Sequence, residues 1–124
     1  MVYYIDIQNV SVYKKAFAAS NSVWSEVIRW QAFAKNTMGS QFVDATDSIS
    51  ANIAEGFGRY HKKDKIKFYH YALGSVSEAV DWNNKAVCRG LISSQKHAAL
   101  KELLTAIPHE IRMLIHITNQ KLSI

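Results

Sequence analysis

The stretch Asp47-Ser48-Ile49-Ser50-Ala51-Asn52-Ile53-Ala54-Glu55-Gly56-Phe57-Gly58-Arg59 carries two stripes at once. At about 100° per residue, Ser48, Asn52, Glu55 and Arg59 fall on one narrow line of a helix, while Ile49, Ile53 and Gly56 fall on the apolar face beside it. A polar line running along a core line predicts a helix with a specified contact at its edge. Further on, Leu73-Gly74-Ser75-Val76-Ser77-Glu78 sets a second small, polar and acidic patch inside an apolar helical pattern.

Working outward, apolar residues at Val12, Ala16, Ala19, Val23, Val27, Trp30 and Ala34 step by three or four and predict a first helix from about Ser11 to Lys35, interrupted at Asn36 to Gly39. The second helix is expected from about Ser40 to Gly58, its last turn weakened by Gly56-Phe57-Gly58, with Tyr60 to Lys63 as the connection. The third shows two seams. One is Ile66, Tyr69, Leu73, Val76, Val80 and Val87 with Asn83 as its polar member; the other is Phe68, Ala72, Ser75, Ala79, Trp82 and Ala86. Two apolar seams on one helix require more than one neighbour. Arg89-Gly90-Leu91 predicts its C-terminal stop. Ser93 or Ser94 can cap a fourth helix whose inward set is Leu100, Leu103, Leu104, Ile107, Ile111 and Leu114, with Pro108 expected to kink it. Met1 to Val10 reads as an extended arm.

With 124 residues, one proline and five glycines, the chain is a single domain, residues 1–124, able to sustain one core without staples. Four helices joined by short connections pack most simply as an all-α, up-down-up-down bundle. That topology puts the second connection at the same end as the start of helix one and the finish of helix four.

The run from Ser48 to Arg59, followed by Gly74-Ser75-x-x-Glu78, resembles the signature of the 23S ribosomal RNA intervening-sequence proteins, a four-helix-bundle family related to the accessory variability proteins of diversity-generating retroelements. The match covers Thr37 to Gly90. The resemblance implies a ring-like homopentamer around a central channel. In the accessory variability branch it also implies basic surfaces that engage a reverse transcriptase and nucleic acid. Trp24, Trp30, Trp82 and Phe33 are the candidates for the surface between subunits.

The net charge of +5 is local: Arg59, Lys62, Lys63, Lys65 and Lys67 against Asp64 place +4 within nine residues. With His61, and with Lys14, Lys15 and Lys121 expected at the same pole, these cations have the ingredients of a nucleic-acid surface. Phe57, Tyr60, Phe68 and Tyr71 are interleaved among them, although Phe68 and Tyr69 are expected to face the core. Ser48, Asn52, Glu55, Ser75 and Glu78 are expected to form a buried hydrogen-bonded network that fixes the register of helices two and three, with Gly56 and Gly74 allowing close approach.

Catalytic patterns are missing. No glutamate has histidine three residues on, His97, His109 and His116 do not form His-Glu-x-x-His, and one cysteine cannot build a thiolate zinc site. Gly56-x-Gly58 is too short for a phosphate loop and follows a helix. The expectation is therefore a protein that is not an enzyme and needs no metal or cofactor. Cys88 is expected to pack in the interior. Met1 to Val10 lacks a basic leader, and no run approaches the roughly 18 apolar residues of a membrane span, so a cytoplasmic location is expected. The functional expectation is a non-catalytic oligomeric adaptor that binds RNA or DNA through its basic pole. The alternatives are a scaffold for protein contacts alone and an accessory protein of a reverse transcriptase.

Overall fold

A computed structural model describes residues 6–124; of the expected N-terminal arm, Met1 to Ile5 lie outside the described residues. The rest of the arm is a 3-10 turn, Ile7–Asn9, capped by Asp6, whose Oδ1 accepts from Gln8 N at 3.0 Å. Ile7 and Val10 pack against the core there, so this part is coiled where an extended segment was expected. Four helices follow: α1 (Ser11–Val27), α2 (Ser40–Gly58), α3 (Lys62–Cys88) and α4 (Ser94–Lys121). Each packs against its successor, and α1 closes the bundle against α4, giving the up-down-up-down arrangement. No strand occurs among the described residues.

The core has two halves. Towards the start of α1, small residues (Ala16, Ala19, Ala45, Ala72, Ala79) interleave with Ile49, Ile53, Tyr69, Leu104, Ile107 and Ile111. Towards its end, Val23, Val27, Trp30, Met38, Phe42, Ala86, Ile92 and Leu100 form an aromatic-rich half. The two seams of α3 serve its two intramolecular neighbours, α2 and α4. The deepest line runs between them, through Tyr69, Ala72, Val76, Ala79, Asn83 and Ala86, and leaves Leu73, Val80 and Val87 only half-buried.

The first helix ends earlier than its periodicity predicts. Chain direction changes at Ile28 to Gln31, where Arg29 and Trp30 donate to the carbonyls three residues back, and Trp30 turns inward, 8% exposed, with its ring centre 6.4 Å from that of Phe42. Asn36 to Gly39, expected to interrupt, is helical instead. A short turn, Ala32–Ala34, and a π-helical turn, Lys35–Gly39, lead directly into α2. Gly39 is needed there because a Cβ would lie 2.7 Å from Val27 Cγ1 and 3.1 Å from Ala34 O.

The other signals hold locally. Gly90 has φ of 72°, its N–H bonds Val87 O at 3.1 Å, and Leu91 N bonds Ala86 O at 2.9 Å, the Schellman pattern that satisfies the last carbonyls of α3. Ser93 Oγ accepts from Lys96 N at 3.0 Å and caps α4, which runs unbroken through Pro108. Cys88 is exposed, on the outer side of the last turn of α3, and does not pack in the interior.

Candidate nucleic-acid interface

The connection from α2 to α3 is three residues, Arg59 to His61, and both its flanks are extended: Arg59 at φ −75°, ψ 151° and His61 at φ −80°, ψ 140°. So tight a turn needs the two helices to touch at once, and Gly56 allows it. A Cβ at Gly56 would fall 2.6 Å from the Tyr69 ring and 2.9 Å from Lys65 O. Tyr69 is buried beneath this glycine, and burial pushes its hydroxyl pKa up to about 12. Gly74, by contrast, is exposed and faces open space, so it is not a close-approach point within the chain.

A helix leaves its final carbonyls without intrahelical partners. In α2 these are met from the second turn of α3, where Lys65 Nζ lies 2.8 Å from Phe57 O and 3.4 Å from Gly56 O. A cation at the negative end of a helix is favourable, and burial here lowers the lysine pKa. Lys65 is thus committed to capping α2. Of the cations assigned to nucleic acid from the sequence, this one does structural duty.

Arg59 is oriented twice. Its Nε donates to Glu55 Oε2 at 2.9 Å, and its guanidinium carbon stands 4.7 Å above the Phe68 ring centre. Lys67 Nζ lies 5.2 Å from the same ring. Phe68 is therefore half-buried under two cations and is not a core residue as the spacing suggested. Lys62, at the head of α3, donates its main-chain N–H to Ile124 O at 2.6 Å. Residues 122–124 run along the entrance of α3, forming a cleft with His61, Lys63 and Asp64 and carrying the exposed Lys121 to the same pole.

Lys14 and Lys15 do not join the cluster. Lys15 pairs with Glu110, eleven residues before Lys121 and so about 16 Å down α4 at 1.5 Å per residue. The pairing holds the Glu110 carboxyl below the usual carboxylate range. Lys14 lies with Gln8, Tyr13 and Phe17 on the outer flank of α1. Among the described residues, Lys14, Lys62, Lys63, Lys67 and Lys121 form no ion pair.

The expected network between α2 and α3 does not form within the chain. Asn52 Nδ2 donates to Ser48 O at 2.8 Å, Ser75 Oγ to Tyr71 O at 3.1 Å, and Glu55 takes Arg59; each bond stays on its own helix or at its end. Glu55 and Glu78 are exposed, and Ser48, Asn52 and Ser75 are half-buried. Competition from a helix's own carbonyls, four residues back, is the reason: a short polar side chain finds that acceptor before any partner across a groove. No group of three or more His, Cys, Asp or Glu among the described residues is placed to hold a metal. No described helix is long and apolar enough to cross a membrane.

This chain matches the family model described as 23S rRNA-intervening sequence protein over residues 8–114, nearly all of the bundle. The chain belongs to that family. A crystal structure of a protein with unknown function from the S23 ribosomal protein family of Bacteroides thetaiotaomicron is similar in fold, with a TM-score of 0.74 and 20% identity. The likeness covers 84% of this chain and 97% of the other. No curated protein matches the chain. For an intervening-sequence family member, the polar line of α2 that carries the family resemblance therefore ends at Arg59, where the basic pole begins. Two features of that pole have no sequence signature. The return of residues 122–124 is one, and the capping role of Lys65 is the other, since its acceptors are main-chain carbonyls.

Proposed function

We propose that this protein is a non-catalytic, cytoplasmic homo-oligomeric adaptor, most simply a pentamer, that binds nucleic acid through its basic pole. The observation that carries the reading is the set of lysines Lys62, Lys63, Lys67 and Lys121, the first half-buried and the other three exposed, gathered at one end and free of ion pairs among the described residues. Cations left without acidic partners are where phosphates gain most, because each neutralised phosphate releases condensed counterions. Repetition of the pole around an oligomer sums that gain.

Support for assembly comes from the flank of α1. Phe17, Trp24 and Ile28 are about half exposed along one line, and Phe33 is 82% exposed beyond its end. Of the four aromatic residues expected at a subunit surface, Trp24 and Phe33 remain available. Trp30 belongs to the core, and Trp82 is half-buried with Lys85 over its ring at 4.6 Å. The same apolar flank favours a second reading, a scaffold for protein contacts alone.

Light-scattering mass in about 0.1 M salt, with and without a mixed pool of short RNA and DNA, separates the two. The adaptor gives a mass near five chains that grows with nucleic acid and reverts in high salt. Changing Lys62, Lys63 and Lys67 to Ala should weaken binding alike for all sequences and reduce the salt slope by about 0.7 to 0.9 for each phosphate no longer neutralised. A pentamer indifferent to nucleic acid supports the scaffold.

A further inference from the structure

We infer that the basic pole selects unpaired, single-stranded nucleic acid over duplex, with Tyr60 and Tyr71 as stacking platforms for bases; this rests on the adaptor reading above. Cations alone do not discriminate, since duplex and single strand both present phosphates. The rings do. Tyr60 is 72% exposed and Tyr71 53% exposed, so each presents a large ring to solvent.

Each ring has an aromatic neighbour. Tyr71 meets Phe68 edge-on, centroids 5.5 Å apart at 89°, and Tyr60 meets His61 edge-on at 5.2 Å and 90°. Edge contacts of this kind favour one ring attitude while leaving ring surface open, which lessens the freedom lost when a base stacks. Arg59, next to Tyr60 in the chain, holds its guanidinium carbon 4.7 Å from the centre of the Phe68 ring that Tyr71 meets, with its Nε held by Glu55. Aromatic and guanidinium groups thus cluster where α3 begins, with Lys67 Nζ 5.2 Å from the Phe68 ring to serve the backbone. A duplex hides the faces of its bases inside its own stack and offers only edges and phosphates; a single strand offers the faces. A protein partner with an acidic surface would use the lysines but leave the rings idle.

The test uses the full chain and fluorescent mixed-sequence oligonucleotides of about 12 nucleotides, as single-stranded RNA, single-stranded DNA and the matching duplex, followed by anisotropy at about 0.05 and 0.2 M salt. Single strands should bind about tenfold or more tightly than duplex. Tyr60→Ala and Tyr71→Ala should each weaken single-strand binding by about 5- to 150-fold, the range for losing one stacked base, without changing the salt slope or the duplex affinity. Tyr60→Phe and Tyr71→Phe should keep the wild-type preference, because the ring and not the hydroxyl does the stacking. Circular dichroism melts check that the exposed substitutions leave the fold intact. Equal affinity for duplex and single strand, with neutral tyrosine variants, overturns the inference and leaves the cationic pole standing. Absence of binding to any probe at the lower salt overturns both.

Discussion

At the basic pole the chain turns from α2 to α3 in three residues, with no residue at positive φ and with a lysine reaching back to close the helix it has just left. At the far pole it turns twice, once through a Schellman glycine and a serine cap, and once around a buried tryptophan. The core follows the same division, small residues and tight helix approach at one end, large rings at the other. The difference shows two ways of ending a helix. Local chemistry does it at Gly90, after which Ser93 caps the start of α4; contacts made across the bundle do it at Val27 and at Gly58.

The far pole gives the largest expected effect. Trp30 fills the aromatic half of the core and redirects the chain after α1, so Trp30→Ala should cost about 3 to 5 kcal/mol and lower the melting temperature by roughly 10 to 20 °C. Amide exchange should rise first in 32–39, the lead-in that Trp30 braces. A loss below about 1 kcal/mol in urea unfolding would mean that this side chain is not what ends α1.

Close approach should dominate at the basic pole. Gly56→Ala would push a Cβ against the Tyr69 ring and the main-chain carbonyl of Lys65, neither of which can yield cheaply, for a cost of about 1 to 3 kcal/mol. Gly39→Ala has one contact under 3.0 Å, to Val27 Cγ1, and its nearest main-chain atom is Ala34 O at 3.1 Å, so it should cost less than Gly56→Ala while still destabilising. Thermal melts of the two variants side by side measure the contrast, and the reverse order would break it.

These elements explain what was legible. The Ser48 to Arg59 pattern, the glycine stop and the serine cap are written within a few residues, so the four helices and their order could be read from spacing. The break at Ile28 to Gln31 could not, because Val27, Trp30 and Ala34 keep the helical step and only tertiary burial of the tryptophan overrides it. The polar line was visible as a line, but Asn52 and Ser75 each have a main-chain acceptor four residues back on their own helix, and that satisfies them before a network can form. Among the clustered lysines, charge is written in the sequence and duty is not.

Lys65 puts that last point to a measurement. Lys65→Met keeps the aliphatic stem but abandons the carbonyls of Gly56 and Phe57, which should cost about 1 kcal/mol of stability. Nucleic-acid affinity should stay within about twofold of wild type, while loss of the unpaired Lys62 and Lys63 does the opposite, weakening binding with little change in melting. If Lys65→Met instead lost binding as strongly as the Lys62 and Lys63 pair, the division of labour at this pole would be wrong.

The smallest effect lies on the flank between the poles, at Lys15 and Glu110. The hydrogen bond from Lys15 lowers the Glu110 pKa, against an opposing push from burial. A carboxylate whose folded pKa is depressed contributes stability that is fully present above its unfolded value, near 4.5, and that is lost as pH falls through the folded value. The Lys15 and Glu110 side chains are 38% and 25% exposed, so solvent screens the pair and its worth is that of a surface ion pair, about 0.5 to 1 kcal/mol. Glu110→Gln should therefore be less stable than wild type by that amount at pH 7, and the gap should close as pH falls through the folded value, where the wild-type carboxylate is itself protonated. A gap that persists unchanged into acid would assign the loss to packing around residue 110 and not to its charge.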